Sequence, residues 1–75
     1  MLIDVRTAEE FYRAHAPGSI NIPLHEIRDI ASIVPDKDTP IMLCCKSGSR
    51  ASDALEILRC MGYTKLINIG TWQNY

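Results

Sequence analysis

The heptapeptide CCKSGSR at positions 44–50 contains the residue types of a reactive thiol site. Two adjacent cysteines are followed by a lysine, two serines, a glycine and an arginine. The thiolate is the nucleophilic form of cysteine, and nearby cations and helix N-termini lower a thiol pKa from its free value of about 8.5. The heptapeptide therefore predicts a nucleophilic cysteine inside an anion-binding loop.

The small residues of this segment permit a tightly curved loop. Gly48 is free to adopt a positive φ, and a chain curved in this way turns successive backbone N–H groups inward. A helix that follows the loop adds its unsatisfied N–H groups and its dipole. The predicted substrate-binding residues are Lys46, Ser47, Gly48, Ser49 and Arg50, and a thiolate at their base would be the nucleophile.

Strands and helices alternate along the chain, and this order determines where the loop lies. The apolar runs MLIDV, SINI, PIMLCC and KLINI predict four strands. A capping box from Thr7 to Glu10 predicts a helix over residues 8–14. Helical spacing predicts two more helices in LHEIRDIASIV and ASDALEILRCMGY, the last of which ends before Gly62. The order predicts an α/β fold, a small parallel sheet flanked by helices on both faces.

In sheets of this kind, ligands bind at the carboxyl ends of the strands, and the loop follows the strand PIMLCC. The same helical spacing selects the side chains that we expect to bury. They are Phe11 in the first helix, Leu24, Ile27, Ile30 (or Ala31) and Val34 in the second, and Ala51, Ala54, Leu55, Leu58 and Met61 in the third.

Composition limits the classes of partner. The chain has 75 residues, of which 47% are apolar, and a net charge of −1. These values indicate one packed domain over residues 1–75 and predict no nucleic-acid partner. No apolar run is long enough to predict a membrane span, and we expect a monomer.

The cysteines indicate a reducing environment. Cys44, Cys45 and Cys60 are an odd set with two direct neighbours, and neither a CxxC pair nor zinc-ligand spacing is present. We therefore predict free thiols, no metal site and a cytoplasmic location, or a periplasmic one if a signal peptide has been removed.

Four segments resemble the rhodanese-like sulfurtransferase family, in the family's order and over almost the whole chain. CKSGSR fits the pattern CxxGxR, with Cys45 first and Arg50 last. LIDVR followed by Glu-Phe resembles the first-strand motif, HAPGSINIPL resembles the segment HxPGAxNIP, and MGYTKLINIGTW resembles the strand that ends near Gly-Gly. Thr71 stands where the second glycine is usual. The chain stops at Tyr75, so we expect a minimal or C-terminally truncated member.

The resemblance implies a thiosulfate sulfurtransferase with Cys45 as the catalytic residue. The Cys45 thiolate would attack the outer sulfur of thiosulfate, release sulfite and pass the sulfur of the resulting persulfide to an acceptor. Backbone amides from Lys46 to Arg50 would stabilise the persulfide, and these two side chains would attract the sulfonate. The implied partners are a small anionic donor such as thiosulfate and an acceptor such as cyanide, a thiol or a thioredoxin-like protein. No cofactor is implied.

Two alternatives remain open. Counting from Cys44 gives C-x5-R, the spacing of tyrosine phosphatases and arsenate reductases, although Gly48 is misplaced for that loop and no histidine directly precedes Cys44. The second alternative is a non-catalytic rhodanese-like interaction module, which usually lacks the loop cysteine.

Residues outside the loop receive structural interpretations. Asp4 and Arg6 are expected to pair and fix the loop geometry rather than contact substrate. His15 is expected to form a local hydrogen bond, and Cys60 to lie in the core or at its boundary. Trp72 is a candidate to cover one side of the loop.

Overall fold

The computed structural model describes residues 1–75 and contains a four-stranded parallel sheet. Its strands are β1 (Leu2–Asp4), β2 (Ile20–Asn21), β3 (Ile41–Cys45) and β4 (Leu66–Thr71). Their order across the sheet is β2-β1-β3-β4, and every neighbouring pair is parallel. The predicted α/β fold is confirmed, and the carboxyl ends of all four strands lie at one edge.

The first helix begins as its capping box predicts. Helix α1 (Ala8–Arg13) has Thr7 as its N-cap, and the Glu10 amide donates to the Thr7 hydroxyl while the Thr7 amide donates to the Glu10 carboxylate. Two otherwise unpaired N–H groups are satisfied in this way. The helix ends one residue before the predicted boundary, because Ala14 is extended.

The second predicted helix is divided. Leu24–Asp29 form a 3-10 helix, which continues into the short helix α2 (Ile30–Ile33). A 3-10 helix has three residues per turn, so its side chains at i and i+3 lie on one side. The spacing of Leu24, Ile27 and Ile30 fits this geometry, and the last two are buried. The prediction of burial was therefore correct for Ile27 and Ile30, while the prediction of one continuous α-helix was wrong.

The third helix, α3 (Ser49–Cys60), ends in a Schellman motif. The Tyr63 amide donates to the Leu58 carbonyl at 3.1 Å, and the Gly62 amide donates to the Arg59 carbonyl at 3.0 Å. This pattern requires a left-handed residue after the C-cap, and Gly62 has a φ of 100°. The predicted C′ glycine is confirmed. A final 3-10 helix spans Trp72–Asn74.

Apolar side chains pack on both faces of the sheet. The larger cluster joins β1 and β3 to α3, α2 and the first 3-10 helix, and it contains Ile3, Leu43, Cys45, Ala54 and Leu58 among others. The smaller cluster contains Leu2, Cys44 and Ala16, with Met42, Ile69 and Trp72 half-buried against it. Successive strand residues face opposite sides, so the two neighbouring cysteines enter different clusters.

Leu24, Leu55 and Met61 are half-buried against the larger cluster, and two further predictions of burial were wrong. Phe11 is only half-buried, because α1 presents no residue to the core, and its ring stacks on His15 with centroids 3.8 Å apart. Cys60 is exposed rather than in the core or at its boundary. It follows the buried Leu58 by two positions, which is a rotation of about 200° around the helix.

None of the helices has the length and apolar character needed to cross a membrane.

Candidate active site

The predicted loop connects β3 to α3 at the carboxyl edge of the sheet. Strand β3 ends at Cys45 and α3 begins at Ser49, with Gly48 as the N-cap. Gly48 has a φ of 102°, as its predicted freedom allows. A Cβ at this position would lie 3.2 Å from the Cα of Gly70 in β4. Glycine is therefore required here both by its backbone conformation and by the close approach of a second glycine.

Backbone amides of the loop and of the first helical turn point at the Cys45 sulfur. The Gly48 nitrogen lies 2.9 Å from Sγ, and the Ala51 nitrogen lies 3.4 Å from it. Burial opposes ionisation of the Cys45 thiol, but hydrogen bonds from the amides of Ala51, Ser47, Gly48 and Arg50 outweigh it and lower the pKa. Ala51 was not among the predicted binding residues, and its donor comes from the helix rather than the loop.

Cys44 has the opposite environment. It is fully buried on the other face of the sheet, where it packs with Leu2 and Ala16. Burial raises its pKa to about 12, and the negative charge of Asp4 acts in the same direction. Strand alternation therefore gives two adjacent thiols opposite ionisation behaviour.

The Cys45 sulfur lies beneath the loop rather than at the surface. Cys45 is 1% exposed, so a substrate has to approach through the loop that surrounds the sulfur. Lys46, Ser47 and Ser49 are exposed on that loop, and the Lys46 ammonium forms no ion pair. Lys46 also lines an open cavity of about 310 Å³ beside the loop.

Arg6, which lines the same cavity, forms a buried ion pair with Asp4. The Arg6 guanidinium donates to both carboxylate oxygens of Asp4, at distances from 2.8 to 3.1 Å, and to the Ala14 carbonyl at 2.7 Å. Its central carbon lies 4.6 Å from the centre of the Trp72 ring. The predicted Asp4–Arg6 pair is confirmed, and Trp72 lines the same cavity as Lys46 and stacks on Arg6. His15 Nδ1 lies 2.8 Å from the Phe11 carbonyl, a local hydrogen bond as predicted.

The Arg50 side chain is held by Glu10. Nη1 and Nη2 of Arg50 lie 2.6 and 3.1 Å from the two carboxylate oxygens of Glu10. This hydrogen-bonded pair lowers the pKa of Glu10 to about 2 and raises the pKa of Arg50. The family resemblance implied that the Arg50 guanidinium attracts the sulfonate of the substrate. In the structure it already has a carboxylate partner, which the sequence could not indicate because 40 residues separate the two.

Asn68 is a loop contact that the sequence predictions missed. Its Nδ2 donates to the Gly48 carbonyl at 3.0 Å, and its Oδ1 accepts from the Gly70 amide at 2.8 Å. The register of β3 against β4 shifts at this point, where Leu43 faces Asn68 and Cys44 faces Gly70. A signal was present, because asparagine and glycine are depleted in strands and an interior glycine often marks a bulge.

No three His, Cys, Asp or Glu side chains lie close enough together to hold a metal ion.

The family model for the Rhodanese-like domain matches residues 1–74. The chain belongs to the rhodanese-like family. Its resemblance to that family in four separate segments is thereby confirmed, and the matched residues include the entire loop from Cys44 to Arg50.

This rhodanese-like chain is similar to curated bacterial proteins. It is 45% identical over 69 residues to the thiosulfate sulfurtransferase PspE of Escherichia coli (strain K12), covering 91% of this chain and 66% of that protein. It is 32% identical over 69 residues to a sulfurtransferase of Allochromatium vinosum, covering 92% of this chain and 64% of that protein. The chain thus spans slightly less than two thirds of the length of each of these relatives.

A solved structure described as a rhodanese with anions from E. coli superposes closely on this rhodanese-like chain. The TM-score is 0.91 with 41% sequence identity, and the match covers 99% of this chain and 88% of the other. The parallel sheet and its flanking helices are therefore those of the family.

Proposed function

We propose that this chain is a thiosulfate sulfurtransferase that carries sulfur as a persulfide on Cys45. The observation that supports this most strongly is the set of backbone amides directed at the Cys45 sulfur, with Gly48 at 2.9 Å and Ala51 at 3.4 Å. Donors placed in this way stabilise negative charge on sulfur without a cofactor. The similarity to a thiosulfate sulfurtransferase over 91% of the chain supports the same reaction.

The first step loads the enzyme. The Cys45 thiolate attacks the outer sulfur of thiosulfate, a new S–S bond forms, and the bond between the two thiosulfate sulfurs breaks. The electron pair of the broken bond leaves with sulfite. The negative charge then lies on the outer sulfur of the persulfide, where the donors of the loop stabilise it.

The second step transfers the outer sulfur of the Cys45 persulfide to an acceptor. Cyanide or a thiolate attacks the outer sulfur, takes it as thiocyanate or as a new persulfide, and returns the electron pair to Cys45. A protein acceptor of the thioredoxin-like kind fits this chemistry because it presents a reactive thiolate at its surface. Lys46, the exposed and unpaired cation of the loop, attracts the anionic donor together with the amides of Ser47, Gly48 and Ser49.

The environment of Cys44 argues against the phosphatase alternative. A C-x5-R enzyme would need Cys44 as its nucleophile, but that thiol is fully buried on the opposite face and its pKa is raised to about 12. The presence of Cys45 with its amide donors likewise argues against a purely non-catalytic module.

One preparation assayed with two substrates tests the proposal. We expect thiosulfate and cyanide to yield thiocyanate, and an aryl phosphate to remain intact. Hydrolysis of the aryl phosphate without thiocyanate formation would favour the phosphatase, and no reaction with either substrate would favour an interaction module.

We further propose that the chain works in a reducing compartment such as the cytoplasm. All three cysteines are free, and the reaction requires Cys45 as a thiolate. Acid quenching of cells, then alkylation of the denatured protein and mass spectrometry, should find no cysteine in a disulfide bond, whereas a disulfide-bonded majority would contradict this location.

A further inference from the structure

The carboxylate of Glu10 joins two helix N-termini that are distant in sequence. Its Oε1 accepts from the Thr7 amide and from the Thr7 hydroxyl, each at 3.1 Å. The same carboxylate accepts hydrogen bonds from both Nη groups of Arg50, at 2.6 and 3.1 Å. Thr7 caps α1, and Arg50 is the second residue of α3. One side chain therefore connects the first turn of α1 to the first turn of α3.

The turn held by Arg50 supplies donors to the reactive sulfur. Ala51, the next residue, donates its amide to the Cys45 sulfur at 3.4 Å, and the amide of Arg50 itself acts on the same thiolate. A bidentate arginine–carboxylate pair fixes the orientation of its guanidinium as well as contributing energy. Fixing that side chain restricts the backbone from which these amides project.

We propose that Glu10 is a positioning residue for the Cys45 site, which acts through Arg50 to keep the amides of the first turn of α3 aimed at the sulfur. Arg50 is then an anchor rather than a contact for the sulfonate. Lys46 is left as the unpaired cation of the loop, so a dianionic donor is held by one ammonium and several backbone amides. This inference deepens the proposed function and rests on it for its catalytic consequence.

The direction in which the pKa of Cys45 changes when Glu10 is replaced distinguishes a positioning role from a direct effect of the Glu10 charge. Glu10 carries a negative charge, which by itself disfavours a nearby thiolate. If Glu10 acted through its charge, its neutralisation would lower the pKa of Cys45. If it positions the amides, its removal loosens their hydrogen bonds to the sulfur and raises that pKa.

The experiment is a thiolate titration by ultraviolet absorbance in a Cys44→Ala/Cys60→Ser background, where Cys45 is the only thiol. Glu10→Gln should raise the pKa of Cys45 by about one unit, a tenfold loss of thiolate at a given pH below it. Arg50→Gln should raise it at least as much, because the positive charge of Arg50, which favours the thiolate, is lost as well. The double variant should shift no further than Arg50→Gln alone, because both changes break one connection. Glu9→Gln is the matched control, since it breaks an exposed pair with Arg13 on the same helix.

A fall in the pKa in Glu10→Gln, no change, or additive shifts in the double variant would overturn the inference. Folding is checked by thermal unfolding before each titration. If Glu10→Gln does not fold, Glu10→Asp replaces it: the charge remains but the shorter side chain cannot span Thr7 and Arg50, so a rise is still expected and an unchanged pKa would contradict positioning.

The titration contains no thiosulfate, so its result is independent of the reaction. A raised pKa in the variants of a protein that forms no thiocyanate would refute the proposed function and leave the positioning role of Glu10 intact. If the protein forms thiocyanate but the pKa of Cys45 is unchanged in the variants, the positioning role of Glu10 is refuted and the proposed function stands.

Discussion

The amide nitrogen of Gly48 lies 2.9 Å from the sulfur of Cys45, three residues earlier in the chain. This contact exists because Gly48 adopts a φ of 102° where β3 gives way to α3, which turns its N–H back toward the end of the strand. Charge-assisted hydrogen bonds of this kind favour the ionised form of their acceptor. The chemistry of the site thus depends on backbone geometry more than on side-chain charge.

Substitution of the two adjacent cysteines should have opposite effects on activity: one variant should lose it and the other should keep most of it. Cys45→Ala should abolish thiocyanate formation from thiosulfate and cyanide, because the nucleophile is lost. Cys44→Ala should retain most of it and lose about 1 kcal/mol in free energy of unfolding, since one buried sulfur is removed from the smaller cluster. Initial rates and urea denaturation measure both effects. Equal loss of activity in the two variants would contradict the assignment of Cys45.

Acid should weaken the connection between α1 and α3. The pKa of Glu10 is lowered to about 2 by hydrogen bonds from Arg50 and Thr7, below its unfolded value of about 4.3. The pair therefore stabilises the fold fully above about pH 4.3, and this contribution is lost as the pH falls toward 2. The Glu10 side chain is 31% exposed, so we expect only about 1 kcal/mol.

Denaturation at a series of pH values tests this contribution against Glu10→Gln, whose stability should vary less between about pH 4.3 and 2. Identical pH dependence in the two proteins would show that the pair contributes nothing in solution.

Gly48 and Gly62 form a matched pair for testing the close approach of the loop to β4. Both have a φ near 100°, so alanine at either position should cost about 1 kcal/mol through backbone strain. A Cβ on Gly62 meets nothing within 4 Å, whereas one on Gly48 lies 3.2 Å from the Cα of Gly70. We expect Gly62→Ala to retain activity and Gly48→Ala to lose both additional stability and most of its rate. Equal behaviour of the two variants would show that the contact with Gly70 is unimportant.

Asn68 should support the rate without touching the substrate. Asn68→Ala removes the bonds to the Gly48 carbonyl and the Gly70 amide, so the loop should loosen and kcat should fall several-fold with little change in KM. Asn74→Ala is the control, because Asn74 donates to the Ile69 carbonyl on the same strand without bonding the loop. Steady-state kinetics of both variants measure the difference. A loss of the same size in Asn74→Ala would assign the effect to β4 rather than to the loop.

The sequence predicted those features that depend on local patterns. The Thr7–Glu10 capping box, the C′ glycine at Gly62 and the positive φ of Gly48 are set by neighbouring residues, and all three occur in the structure. Strand alternation separated Cys44 from Cys45 because the period of two is a property of the strand itself.

The features that the sequence did not predict depend on long-range contacts. Glu10 meets Arg50 across 40 residues, and Asn68 meets Gly48 across 20. Neither contact can be predicted from a local period in the sequence, because each depends on how the strands are ordered in the sheet. The 3-10 start of the second helix was missed for a different reason, since spacing by three residues is shared by both helix types.

Mass spectrometry of the protein after incubation with thiosulfate tests the central claim most directly. Covalent catalysis through Cys45 predicts a gain of about 32 Da, one sulfur atom, that cyanide removes. Fragmentation should place the added mass on Cys45, and the Cys45→Ala variant should gain none. An unchanged mass, or a sulfur found on Cys44 or Cys60 instead, would contradict the account.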